Sequence, residues 1–170
     1  MSALDKLCTP PDVLELVRKV GPIGVDVFPG EHAMVNPRVT LPADWDAYKS
    51  TDWTRDADCG EVVWVQPPYS RGHLPRVASI WARQGFAQAR RRHQEPHGIA
   101  LLPAATGANW FQVMANNSSA MALWYGRITF WMDGKPTKGG GWFDSALFYA
   151  GPNPYRFADV FAPFGRVVIL

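Results

Sequence analysis

At 170 residues the chain has the length of one ordinary domain, and a hydrophobic content of 47% provides for a real core, which excludes general disorder. The formal charge of +2 tolerates a polyanionic partner without requiring one. Two cysteines, Cys8 and Cys59, exclude a disulfide scaffold and a four-ligand zinc set, and read as free thiols of a reducing compartment. No apolar run approaches a membrane span and the start lacks a signal-peptide hydrophobic region, so a cytoplasmic protein without a membrane partner is expected.

In chain order, Thr9, Pro10 and Pro11 read as the N-cap and first-turn prolines of a helix. Val13, Leu14, Leu16, Val17 and Val20 form its apolar stripe, and Gly21-Pro22 stop it. Ile23 to Phe28 is a short buried strand. Residues 31–59 carry two prolines and scattered acids, and predict a long loop with one helical turn, a length that is usually functional. Glu61 to Val65 is a strand that ends at Gln66-Pro67-Pro68-Tyr69, and a helix is predicted from Leu74 to His93. Gly98 to Leu102 is a further strand, ended by Pro103, and Gly107 to Asn117 a further helix. Strands follow at Met121 to Trp124, Arg127 to Met132 and Asp144 to Tyr149, with Val167 to Leu170 as an edge strand.

This order predicts one α/β domain over residues 1–170, a mixed sheet with flanking helices. Ligands of such sheets sit beyond the C-terminal ends of the strands, which directs attention to Asp26 to Pro29, Gln66 to Tyr69 and Pro103 to Thr106. At the second of these, the two prolines end the ladder and make a rigid turn. The turn presents an amide, the Pro67 carbonyl and a tyrosine. Acceptors there suit a planar amine whose lone pair must be aimed at an electrophile, and Tyr69 suits stacking on a flipped base. The alternative is a strand-ending double proline with a tyrosine packed below it. Asp26 suits an ammonium group through a charge-assisted bond, and Asp52 or Asp44 could reach ribose hydroxyls. No G-x-G-x-x-G turn is present, which argues against a dinucleotide oxidoreductase. The four histidines show no metal-like spacing with the cysteines, and Ser70 and His73 lack a nucleophile elbow; no metal is implied.

These segments resemble the phage-type DNA N6-adenine methyltransferase family. The likeness is carried by Thr9-Pro10, Val25-Asp26-Val27 and Val63-Trp64-Val65-Gln66-Pro67-Pro68-Tyr69-Ser70. It continues through Leu101-Leu102-Pro103-Ala104 with Trp110-Phe111, Gly126-Arg127-Ile128-Thr129-Phe130 and Ser145-Ala146-Leu147-Phe148. The resemblance implies a reduced class I methyltransferase-like fold using S-adenosyl-L-methionine, with DNA as partner, in a phage or prophage setting within a bacterial cytoplasm. By the same resemblance Thr9, Pro10 and Asp26 border the cofactor, Gln66 to Tyr69 form the catalytic motif, and Arg127 belongs to a late hairpin. The family carries Asn or Asp where this chain has Gln66; the added methylene displaces the acceptor by about an ångström, enough to cost roughly 100-fold in rate.

Basic residues gather at Arg83, Arg90, Arg91, Arg92 and His93 and again at Arg127, Lys135 and Lys138, whereas the first third is acidic. Arg90, Arg91, Arg127, Lys135 and Lys138 are the candidate DNA contacts, although a solvated helix end is the first explanation of the arginine run and phosphate contact the second. Trp131 or Trp142 could wedge beside a displaced base. Three alternatives stay open: transfer to cytosine N4 or a glutamine amide, a binder that has lost transfer, and a structural phage protein.

Overall fold

The computed structural model describes residues 2–30, 34–70, 72–84 and 96–170. Its sheet has six strands in the order β1-β2-β3-β7-β4-β8: β1 (Ile23–Asp26), β2 (Val62–Val65), β3 (His97–Pro103), β4 (Ala120–Trp124), β7 (Ser145–Ala150) and β8 (Gly165–Ile169). The first three pair in parallel, β7 inserts antiparallel between β3 and β4, and β8 closes the far edge antiparallel to β4. The sheet is therefore mixed, and the α/β architecture agrees with a methyltransferase-like fold.

β1, β2 and β7 are buried along their whole length, as expected of strands covered on both faces. Adjacent residues of β7 show what covers them. Tyr149 stacks on Phe157 of α4 (Pro154–Phe161), and Phe148 meets Phe111 of α3 (Asn109–Asn116) on the opposite face. Helix α1 (Pro11–Val20) packs with α4, and α2 (His73–Arg83) with α3. The Trp81 indole N–H ties α2 to the end of α3 by donating to the Asn117 carbonyl at 3.2 Å.

Several expectations are revised. Thr9 does not cap α1; Pro10 occupies that position without a side-chain bond, and the Thr9 hydroxyl turns to Gln66. Of the strand expected over Arg127 to Met132 only β5 (Trp131–Met132) forms, paired with β6 (Lys135–Pro136) through Asp133 and Gly134, both at positive φ as a two-residue hairpin requires. Helix α4 has no counterpart among the predicted elements, although Asn153 caps it by accepting from the Arg156 N–H and Pro154 starts it. The predicted continuation of α2 to His93, with Arg90 and Arg91, lies outside the described residues.

The loop after β1 is ordered by long-range bonds. The Arg38 and Val39 N–H groups donate to the Ile23 and Gly24 carbonyls, so this stretch lines the outer edge of β1. Arg38 forks onto the carboxylate of buried Glu61 at 2.6 and 2.8 Å, fixing the loop to the start of β2. The Trp45 indole donates to the Val27 carbonyl at 3.0 Å, folding the loop back over the end of β1.

Candidate active site at the strand ends

The C-terminal ends of β1 and β2, the segment before α1 and the folded-back loop enclose a cavity of about 840 Å³, within the range of roughly 300–1,000 Å³ typical of ligand sites. Thr9, Asp26, Gln66, Pro67 and Pro68 line it, so these five of the residues singled out from the sequence come together. Pro10 is buried at the head of α1. The third strand end lies elsewhere: Ala104 donates its N–H to the Asp144 carbonyl, and none of Pro103 to Thr106 borders the cavity.

Asp26 sits opposite Trp64 in the ladder and is 3% exposed. Burial pushes its carboxyl from an ordinary 3.8 up to about 7, against the opposing hydrogen bond from the Phe28 N–H. Among the described residues it has no cationic partner. Trp64, in the same wall, has an indole N–H without an acceptor among the described residues. The lining also carries Asp5, Asp133 and Asp46, the last ion-paired with Lys49 at 3.4 Å, against Lys6, a balance that favours a cationic guest.

The opposite wall is aromatic and went unrecognised in the sequence. Phe28 and Tyr48 meet at a centroid distance of 5.3 Å, and Trp45 lines the same space. The Tyr48 hydroxyl is hydrogen-bonded to His73 Nδ1 at 2.5 Å, and the Arg76 guanidinium lies 4.2 Å from the Tyr48 ring centre. The spacing of Trp45, Asp46 and Tyr48 on one turn was the available signal. Asp52 stays outside: it is exposed, and its Oδ1 accepts from the Thr54 N–H and hydroxyl. Asp44 is exposed as well, and Asp46 takes the lining position.

Gln66 is held at both ends of its amide. Its Oε1 accepts from the Thr9 N–H at 2.9 Å and from the Thr9 hydroxyl, and its Nε2 donates to the Leu7 carbonyl at 2.7 Å. The segment before α1, Ser2 to Pro10, thus forms a strap whose other edge pairs with β5, Cys8 and Trp131 exchanging bonds of 2.8 and 2.9 Å. Tyr69 points inward. It is 7% exposed, its hydroxyl donates to the Leu101 carbonyl at 2.7 Å, and its ring meets Phe130 and Phe143 edge-on. Tyr69→Phe is accordingly expected to lower unfolding stability by about 1 kcal/mol while leaving ligand affinity in the cavity unchanged, as denaturant melts and calorimetry would read.

The excursion from Tyr125 to Asp144 leaves the sheet between the ends of β4 and β7 and reaches the cavity through its hairpin turn. Asp133 at its hairpin turn lines the cavity, and Lys135 and Lys138 are exposed nearby in sequence. Arg127 is exposed and engages Asp144 at 3.1 Å. Trp142 is 41% exposed, whereas Trp131 is half-buried against the strap. Among the described residues no group of His, Cys, Asp and Glu could hold a metal ion, and no helix is long and apolar enough to cross a membrane.

No curated protein and no solved structure matches the chain significantly. The profile of the family described as DNA N-6-adenine-methyltransferase (Dam) matches residues 2–149, from the strap to the next-to-last residue of β7. The chain belongs to the DNA N-6-adenine-methyltransferase (Dam) family.

Proposed function

We propose that this protein transfers a methyl group from S-adenosyl-L-methionine to the N6 amine of adenine in DNA. The observation that carries the reading is a single cavity joining a buried, unpaired carboxylate to the Gln66-Pro67-Pro68 turn. Asp26 and the acidic lining suit the ammonium and sulfonium charges of the cofactor, and Trp64 offers a free donor. Phe28, Trp45 and Tyr48 offer aromatic faces to its purine, and Asp46 an acceptor for its ribose hydroxyls. When bound, the cofactor supplies an electrophilic methyl on a sulfonium sulfur.

The protein's part is alignment. Acceptors at the turn hold the hydrogens of the target amine so that its lone pair lies in line with the methyl, and the amine proton leaves to water after transfer. No side chain need act as a strong base. DNA would lie over the Tyr125-to-Asp144 excursion, with Lys135 and Lys138 on phosphates and Arg127 contributing once Asp144 yields it. The free thiols of half-buried Cys8 and exposed Cys59 suit a reducing cytoplasm.

Two measurements bear on this. Plasmid propagated with the protein in a host lacking adenine methylation is expected to yield N6-methyladenine on nucleoside mass spectrometry; unmodified DNA from cells containing folded protein would refute broad adenine transfer. Replacing both Lys135 and Lys138 by Ala should flatten the log K against log salt slope by about 2 without altering cofactor affinity. One observation favours a second reading, a binder that no longer transfers: both lone pairs of Gln66 Oε1 are already taken by Thr9. Cofactor affinity without any methylated base would select it.

A further inference from the structure

The hydrogen bonds around Gln66 fix its orientation. The Thr9 N–H can only donate and the Leu7 carbonyl can only accept, so oxygen must face Thr9 and nitrogen must face Leu7. The side-chain amide thus behaves as a neighbouring strand would, closing one edge of the strap while Trp131 closes the other. A carbonyl oxygen has two lone pairs, and Thr9 fills both through its N–H and its hydroxyl. With the strap seated, what Gln66 has left is one N–H. That group can donate to an acceptor but cannot receive an amine hydrogen.

The strap has other moorings, which keep it part of the fold when Gln66 lets go. The Ser70 N–H donates to the Asp5 carboxylate at 3.0 Å, and Cys8 stays paired with Trp131. A shift confined to Thr9 is therefore enough to expose the oxygen. We propose that Thr9 controls access of the target amine to Gln66: the amine and Thr9 compete for the same carbonyl oxygen, and binding of the base displaces Thr9 from it. This rests on the methyl-transfer reading above and adds a positioning role for Thr9 in the entry of the base.

The competition is readable without turnover. Amide exchange at Thr9 is followed by NMR in the intact protein loaded with the demethylated cofactor, with an adenine-containing oligonucleotide or with oligothymidine. Saturation with the adenine oligonucleotide is expected to speed Thr9 N–H exchange at least about tenfold, with oligothymidine leaving it unchanged. Thr9→Val removes the hydroxyl donor at nearly constant shape and should lower the KM for adenine-containing DNA about threefold or more; Thr9→Ser, which restores the hydroxyl, should return it to the native value. Thr9 exchange that stays slow while labelled methyl reaches the same oligonucleotide would overturn the proposal and leave the function standing. A Thr9→Val protein whose KM is unchanged or raised would also overturn it. An oligonucleotide neither bound nor methylated would remove the function and this proposal together.

Discussion

Asp26→Asn should weaken S-adenosyl-L-methionine binding about 100-fold, because a charge-assisted bond to an ammonium contributes roughly 1.5–3 kcal/mol, and yet make the folded protein more stable at pH 8. The two effects have one cause. Asp26 is buried without a cation, so its carboxyl titrates near 7 in the folded chain and near 3.8 when unfolded. Between those values the folded state binds more protons than the unfolded one, and stability falls as pH rises. Above pH 7 the ionised carboxylate costs on the order of 4 kcal/mol at most, which the asparagine avoids. Asp26→Asn should therefore melt several degrees higher at pH 8, with the gain vanishing towards pH 4. A cationic ligand reverses the sign by favouring the ionised form. Cofactor affinity of the native protein should accordingly rise about tenfold from pH 6 to pH 8, and calorimetry with the asparagine variant should lose that dependence.

Gln66→Glu is expected to loosen the strap where it meets the end of β2 at neutral pH, its other moorings holding. The carboxylate still accepts from Thr9, but its second oxygen confronts the Leu7 carbonyl with no hydrogen between them. Leaving that carbonyl unpaired in a partly buried setting costs about 1–3 kcal/mol. Lys6, Cys8 and Thr9 form part of the cavity wall, so cofactor affinity should fall about tenfold with it. Protonation supplies the missing donor. Stability of Gln66→Glu relative to native should thus recover as pH falls from 8 to 5, a trend that denaturant melts at the two pH values would show. A simple packing defect would give the same loss at both.

What the sequence revealed depended on how local the cause was. The apolar runs at Val62–Val65 and Ser145–Ala150 and the double proline at Pro67-Pro68 dictate their structure within a few residues, so strands and site were visible together. Asp26 could be singled out because Val25 and Val27 flank it, which makes a carboxylate awkward on a buried sheet face. The segment from Met34 to Gly60 was not legible in the same way. It owes its order to bonds reaching far along the chain, from Arg38 to Glu61, Trp45 to Val27, and the Trp53 N–H to Gln84 Oε1. The aromatic wall was missed for that reason.

Two misreadings arose from side-chain direction. Tyr69 looks like a platform beside the turn, but Phe130 and Phe143 offer its ring an apolar bed and the Leu101 carbonyl takes its hydroxyl. Thr9 looks like a helix cap, whose hydroxyl would accept from a first-turn N–H, yet it lies one residue before the cap and its hydroxyl donates to Gln66 instead. Helix α4 was readable in principle: Asn153 and Pro154 are start signals, and Phe157 and Phe161 share one face.

The most direct test gives the purified protein methyl-labelled S-adenosyl-L-methionine and unmethylated duplex DNA, and identifies the labelled nucleoside by mass spectrometry beside an Asp26→Asn control. Label on N6-methyldeoxyadenosine, strongly reduced in the control at subsaturating cofactor, is the expected result. Label confined to cytosine, or no labelled nucleoside from a protein that binds both cofactor and DNA, would contradict it.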